Sequence, residues 1–303
     1  MNWYKTANTS LSVTRQEFLG MNVSQKKRLA GNTSLTPEVQ KWFLTEKYRG
    51  KYQVLQSLAH NTSLTPKVQK MLWTENYERK DEVLIFLADN TSLTPEMQKW
   101  FFNQNYERKG LVLQYLAGNT SLTPEVQTLF WTENYERKGE VLRNLAENES
   151  LTPEMQTLFW TQNYEHKGLV LRNLAQNKSI ALEMQTLFWT EKYRGKNDTL
   201  HSLARNTSLT PEMQKWFFTQ NYEGKGDALL HLALNRSITP EVQTLFWTQN
   251  YEDKGDFLRL LARNPSFLRG FTREQLLLIK KLARGETRLK ILKKRLEQVQ
   301  ESM

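Results

Sequence analysis

An asparagine opens a near-copy of the same segment every 29 residues, at Asn32, Asn61, Asn90, Asn119, Asn148, Asn177, Asn206 and Asn235, with a partial copy at Asn264. Residues 119–147, NTSLTPEVQTLFWTENYERKGEVLRNLAE, represent the unit. A fixed period of this length constrains the fold more than any composition figure. Each unit has to bury its apolar surface against neighbours of nearly the same shape.

With the asparagine as position 1, the unit reads as two short helices. Thr123 is an N-cap, Pro124 suits the first helical position, and Glu125 places negative charge where the helix dipole favours it. Helix A therefore starts there. Val126, Leu129, Phe130 and Tyr135 fall on or near one face with Trp131 to its side, which predicts helix A as the inner layer. Position 21 (Tyr52, Asp81, Gly110, Gly139, Gly168, Asn197, Gly226, Gly255) predicts the N-cap of a second helix, B. Val141, Leu142, Leu145 and Ala146 form its apolar stripe, and the next asparagine is expected to close it in a left-handed conformation. Helices this short are marginal alone, so the units must stack.

The predicted fold is all-α: a right-handed-type α-solenoid of tandem 29-residue helix-turn-helix repeats with capping ends. Residues 1–31 form an N-terminal capping repeat, 32–263 eight tandem repeats, and 264–303 a C-terminal partial repeat with a basic capping helix. The first unit is shortened, since Asn8 precedes Asn32 by 24 residues, with TRQEFL standing for helix A and SQKKRLA for helix B. Lys26, Lys27 and Arg28 give it a polar outer face, and Trp3 and Tyr4 are placed to cover the end of the core. In the unit beginning at Asn177, Ala181-Leu182 replaces Thr-Pro and removes an N-cap, which predicts the weakest junction there.

The absence of cysteine excludes disulfides, thiolate metal sites, iron–sulfur clusters and cysteine nucleophiles. The N-terminus lacks a basic start followed by an apolar core, and the longest aliphatic run, 276–279, is far too short to span a bilayer; a cytoplasmic chain is expected. The net charge of +10 sits at the ends. Residues 1–31 carry five Lys and Arg against one acid and 264–303 ten against four, which leaves 27 of each in the repeats.

LTPE at 122–125 and LARNPSF at 261–267 resemble bacterial leucine-rich repeat variant and HEAT-like α-solenoid repeat proteins, in which a short helical pair recurs around such motifs. The resemblance covers nearly the whole chain and implies a helical stack with a binding role and no catalytic residues. The 29-residue units are longer than that family's, and the cluster some of its members carry has no cysteine ligands here. LTPE at 122–125 with Lys138 is also similar to the repeats of transcription activator-like effectors. The variable base-reading pair of that family is not recognisable, so its code is not carried over.

Enzyme chemistry finds little support. His60, His166, His201 and His231 occupy four different positions of the unit, and there is no Gly-rich phosphate loop or nucleophile motif; no catalytic, cofactor or metal residue is assigned. The aromatic ring of helix A shifts between Trp42, Trp100 and Trp216 and, two residues later, Trp73, Trp131, Trp160, Trp189 and Trp247. This reads as compensated packing or, more sharply, as a stack of cofactor-binding rings. Residues 272–301 read as a terminal helical segment with Thr272 and Gln275 in capping-box register, broken at Gly285. Leu289, Leu292, Leu296 and Val299 then form a seam opposite Lys290, Lys293, Lys294 and Arg295, which suits a cap, a dimerising helix or a basic docking surface.

Two features carry binding. One is a lysine in every repeat: Lys51, Lys80, Lys109, Lys138, Lys167, Lys196, Lys225 and Lys254. Beside helix N-termini such a ladder suits a phosphate backbone, but acids at position 22 (Glu82, Glu140, Asp198, Asp227, Asp256) allow a structural pairing instead. The other is the face of helix B left after its apolar stripe, positions 22, 25, 26 and 29, where positions 25 and 26 read Gln56-Ser57, Ile85-Phe86, Gln114-Tyr115, Arg143-Asn144, Arg172-Asn173, His201-Ser202, Leu230-His231 and Arg259-Leu260. A diversified stripe beside near-identical packing residues is what modular recognition produces, and drift after duplication produces the same pattern. The leading expectation is a non-enzymatic scaffold for a protein or peptide; the alternative is a DNA- or RNA-binding array using the lysines and the basic ends.

Overall fold

The computed structural model describes residues 13–249, 254–267, 269, 272–275 and 277, the side chains of 254 and 255 excepted. Among the described residues there are eighteen α-helices and no strand, alternating between the two types. The A helices are α1 (Arg15–Gly20), α3 (Pro37–Thr45), α5 (Pro66–Thr74), α7 (Pro95–Asn103), α9 (Pro124–Thr132), α11 (Pro153–Thr161), α13 (Leu182–Thr190), α15 (Pro211–Thr219) and α17 (Pro240–Thr248). The B helices are α2 (Val23–Ala30), α4 (Lys51–Ala59), α6 (Lys80–Ala88), α8 (Lys109–Gly118), α10 (Lys138–Glu147), α12 (Lys167–Leu174), α14 (Lys196–Arg205), α16 (Lys225–Ala233) and α18 (Lys254–Arg263). The chain is an α-solenoid of helical pairs. Its contacts gather into two compact units, Met1–Met155 and Gln156–Met303.

The Thr-Pro start of helix A is built as its residues dictate. Thr36, Thr65, Thr94, Thr123, Thr210 and Thr239 each accept a hydrogen bond from the third helical amide, with proline at the first turn; each such cap contributes about 1 kcal/mol. Ala181 keeps the same extended backbone without a side-chain cap.

Helix B starts differently from the expectation. Its first residue is the lysine at position 20, and the N-cap is position 19, which lies in the left-handed region in Gly50, Arg79, Arg108, Arg137, His166, Gly195 and Gly224. None of these seven caps the helix with a side chain. Position 21 is already helical, and two of its glycines answer to packing: a Cβ on Gly110 would meet the Glu136 carbonyl oxygen at 2.6 Å, and one on Gly168 the Arg194 carbonyl oxygen at 2.7 Å, whereas one on Gly226 would meet nothing within 4 Å. The asparagine that follows helix B is also not left-handed. Asn119, Asn148 and Asn206 are extended, with φ of −69°, because their side chains reach back to the preceding unit.

The B helices form the close-packed row. In the first compact unit α2, α4, α6, α8 and α10 pack in succession, and in the second α12, α14, α16 and α18 do so. Ala59, Ala88, Ala117, Ala175, Ala204 and Ala233 are wholly buried in this row and let adjacent backbones approach. Helix A, expected as the inner layer, is the wider-spaced row because rings hold its members apart. The ring at position 13 of one unit packs edge-to-face on positions 12 and 17 of the next: Trp73 lies 4.8 Å from Phe101 and 5.2 Å from Tyr106, and Trp189 lies 4.6 Å from Phe217 and 5.1 Å from Tyr222. Trp73, Trp189 and Trp247 are buried in this core, whereas Trp42, Trp100, Trp131, Trp160 and Trp216 are half-buried.

In the shortened first unit Thr14 with Glu17 and Asn22 with Gln25 form capping boxes. Thr272 and Gln275 exchange the two bonds of a capping box at 2.9 and 3.2 Å. Trp3, Tyr4 and the seam and basic face of 285–299 lie outside the described residues.

Candidate interaction surface

The lysine at position 20 closes helix A. Lys138 Nζ donates to the Trp131 carbonyl at 2.6 Å and the Glu133 carbonyl at 2.9 Å. Lys51, Lys109, Lys167, Lys196 and Lys225 repeat the pattern, each donating to the carbonyls seven and five residues back. In the same cap the Tyr135 hydroxyl donates to the Phe130 carbonyl at 2.7 Å, and Tyr48, Tyr77, Tyr106, Tyr164, Tyr193 and Tyr222 do likewise. The last carbonyls of a helix have no intrahelical donors and carry the negative end of its dipole, so an ammonium is suited to them.

These lysines are half-buried, and burial holds Lys51, Lys80, Lys109, Lys138, Lys167, Lys196 and Lys225 below the usual ammonium value. Six of the eight ammonium groups named as phosphate contacts thus point at their own main chain. The side chain of Lys254 lies outside the described residues. Lys26, expected on a solvated face, is buried; it donates to the carbonyls of Leu19 and Met21, again seven and five residues back. The shortened unit recreates the cap from inside helix B.

The variable stripe lies on the outer face of the B row. Phe86 is 37% and Tyr115 44% exposed, and on the same face Leu169 is 48% and Leu234 45% exposed. Arg143, Arg172 and Arg259 are exposed, and Gln56, Ser57, Ile85, Gln114, Asn144, Asn173, His201, Leu230, His231 and Leu260 are half-buried. Ser202 is buried and accepts from Gln176 Nε2 at 3.2 Å, so it is not part of an accessible surface. Neighbours along the stripe touch: Gln56 Nε2 donates to Glu82 at 3.2 Å, Asn144 Nδ2 to the Gln114 carbonyl at 3.2 Å, and the rings of His60 and Phe86 meet at 6.2 Å.

The stripe also unites two histidines that the sequence leaves apart. The rings of His201 and His231 lie 5.5 Å from each other, and Arg205 Nε donates to His231 Nδ1 at 3.2 Å. Burial, then the Arg205 charge and His201, hold His231 below the ordinary imidazole value, against a weaker opposing pull from Asp227. No group of three or more His, Asp or Glu able to hold a metal ion occurs among the described residues. Nor is any described helix long and apolar enough to cross a membrane.

Two buried polar ladders escaped the sequence reading. Asn119 Nδ2 donates to the carbonyls of Ala88 and Asn90 at 2.8 and 3.0 Å, and its Oδ1 accepts from the amide and hydroxyl of Ser121. Asn61, Asn90, Asn148, Asn206, Asn235 and Asn264 repeat the two bonds to the preceding unit. Gln127, at position 9, reaches the other way, from its amide to the Ser150 carbonyl at 3.0 Å. Gln40, Gln69, Gln98, Gln156, Gln185, Gln214 and Gln243 do the same. The available signal was a non-hydrophobic residue kept at a core-facing position in every copy. No family model, curated protein or solved structure matches the chain.

Proposed function

We propose that the chain is a non-enzymatic scaffold that docks a protein or peptide along the outer face of its B helices. The carrying observation is a division of labour. Near-identical residues make the buried ladders and caps, while four of the apolar and aromatic groups left in water, Phe86, Tyr115, Leu169 and Leu234, stand at stripe positions of helix B and differ from unit to unit; Leu19, Leu182 and Leu277 lie elsewhere. Such side chains are anchors at protein interfaces. The lysine row supports this reading over a phosphate backbone, since six of its eight ammonium groups are bonded to helix carbonyls.

The test is a binding comparison on the full chain. Anisotropy with labelled duplex DNA, single-stranded DNA and RNA, titrated from low to physiological salt, is expected to show no tight, steeply salt-dependent complex beyond what the basic residues at 272–303 produce. Partner capture is expected to weaken in Phe86→Ala with Tyr115→Ala. A steep salt slope that survives deletion of 272–303 and flattens when Lys109, Lys138 and Lys167 become Gln would instead make the array a nucleic-acid reader.

A further inference from the structure

A cleft of about 310 Å³ opens at the C-terminal ends of α4, α6 and α8 around His60, Asp89 and Gly118, and one of about 620 Å³ opens between α12 and α14. The second is lined by His166, Lys167, Leu169, Arg172, Arg194 and Asp198, beside Gly168 and Gly195. Its arginines differ from their counterparts elsewhere in the array.

Arginine occupies position 25 in three units. Arg143 pairs with Glu140 at 3.4 Å and Arg259 with Asp256 at 3.1 Å, each acid three residues earlier in the same helix. In α12 that earlier position is Leu169, so Arg172 has no acid of its own helix there. Arg194 stands at position 18 of its unit, where Glu78, Glu107, Glu136, Glu165 and Glu223 stand in other units and Arg49 is an arginine too. A cation here takes the place of the more frequent acid.

A leucine in place of an acid at 169 and an arginine in place of a glutamate at 194 thus set two guanidinium groups over one cleft, next to a leucine that is half in water. Lys167 is engaged with the carbonyls of Trp160 and Gln162. Asp198 is the acid in the lining, and no ion pair joins it to Arg172 or Arg194. Lys167, Arg172 and Arg194 thus stand in the lining against one acid, Asp198, and His166 Nε2 lies 3.2 Å from Glu165 Oε1. A guanidinium is a fork of donors suited to a carboxylate, and Leu169 offers the apolar surface beside it.

We propose that this cleft docks an acidic peptide segment, with carboxylates on Arg172 and Arg194 and an apolar side chain against Leu169. The inference rests on reading the outer face of the B helices as a docking surface. The probe is a fluorescein-labelled peptide with two glutamates flanking a leucine in a Gly-Ser background, compared with its glutamine analogue by anisotropy on the full chain. The glutamine analogue is expected to bind about tenfold more weakly, a difference that corresponds to about 1.4 kcal/mol.

Leu169→Glu restores the within-helix acid that Arg143 and Arg259 already have, so it should remove binding without touching either arginine. Arg172→Gln with Arg194→Gln should cost at least tenfold. Arg143→Gln should change nothing, and circular dichroism should show every variant folded. Binding of the acidic peptide that ignores Leu169→Glu, or no binding at all, overturns the proposal. If peptides bind but respond only to Phe86→Ala with Tyr115→Ala, the cleft fails and the docking reading stands. If only oligonucleotides bind, with a steep salt slope, both fail.

Discussion

Along the B helices of the first compact unit, Arg79 has Glu82 and Tyr52, Arg108 has Asp81, and Arg143 has Glu140, while Arg137 stands beside Gly110. In the second unit Arg259 has Asp256, but Arg172 and Arg194 face a cleft, and Arg205 donates to a histidine. The exposed aromatics Phe86 and Tyr115 belong to the first unit and the His201–His231 pair to the second. The interiors do not follow this division. The asparagine, glutamine, lysine and tyrosine bonds recur with the same offsets on both sides. Stacking fixes the buried residues, because each must fit copies of itself, and leaves the outer face of helix B free to diverge between the halves.

If the interiors are equivalent, alkaline pH should unfold both halves together, and this is the largest effect expected. Burial raises Tyr48, Tyr77, Tyr106 and Tyr135 in the first unit and Tyr164, Tyr193 and Tyr222 in the second above the ordinary phenol value. The unfolded chain then releases these protons at lower pH than the folded one, so stability falls as pH rises above about 10. Tyrosinate absorbance from these seven should appear together with loss of helical circular dichroism. Ionisation of one half at a lower pH would break the equivalence.

Next in size is the asparagine ladder. Asn119→Ala and Asn206→Ala each remove two bonds to buried carbonyls and should cost roughly 2–4 kcal/mol in urea unfolding, equally in the two halves. Unequal costs would show that the repeated geometry hides unequal energetics. Lys138→Met and Lys225→Met should cost about 1–2 kcal/mol each, again alike, by loss of the helix A cap. Neither should alter oligonucleotide binding, and a lowered salt slope would reassign these lysines to phosphate.

The smallest effect distinguishes the halves. With its folded value depressed, His231 contributes stability that is present above the ordinary imidazole value and lost as pH falls through the folded value. An NMR titration of His231 should therefore show a midpoint below 6.5, and His231→Gln should remove that slope from the second half alone. An ordinary midpoint would mean that Arg205 and His201 do not act on it.

Much of the fold was legible. Thr-Pro-Glu marks the start of helix A by local chemistry, the apolar stripe of helix B follows from spacing, and Gln275 three residues after Thr272 announces a capping box. The candidate surface was legible as a variable stripe, except at Ser202, whose burial depends on Gln176 reaching over it. The start of helix B was not legible. Arg79, Arg108, Arg137 and His166 adopt the left-handed conformation at φ of 55° to 60°, where glycine is the usual signal.

The amino-acid order by itself determined the period, the helical class, the Thr-Pro caps and which face of helix B would vary, because each depends on residues within a turn or two. The tertiary structure decided what the recurring asparagine, glutamine and lysine do. Asn119 bonds carbonyls 29 and 31 residues back and Gln127 one 23 residues ahead, so their partners exist only once neighbouring units are stacked. Lys138 finds its carbonyls only when the linker folds it back over helix A. The side chain that looked like a ladder for phosphate became a cap for the main chain, because a buried helix end needs donors before any ligand arrives.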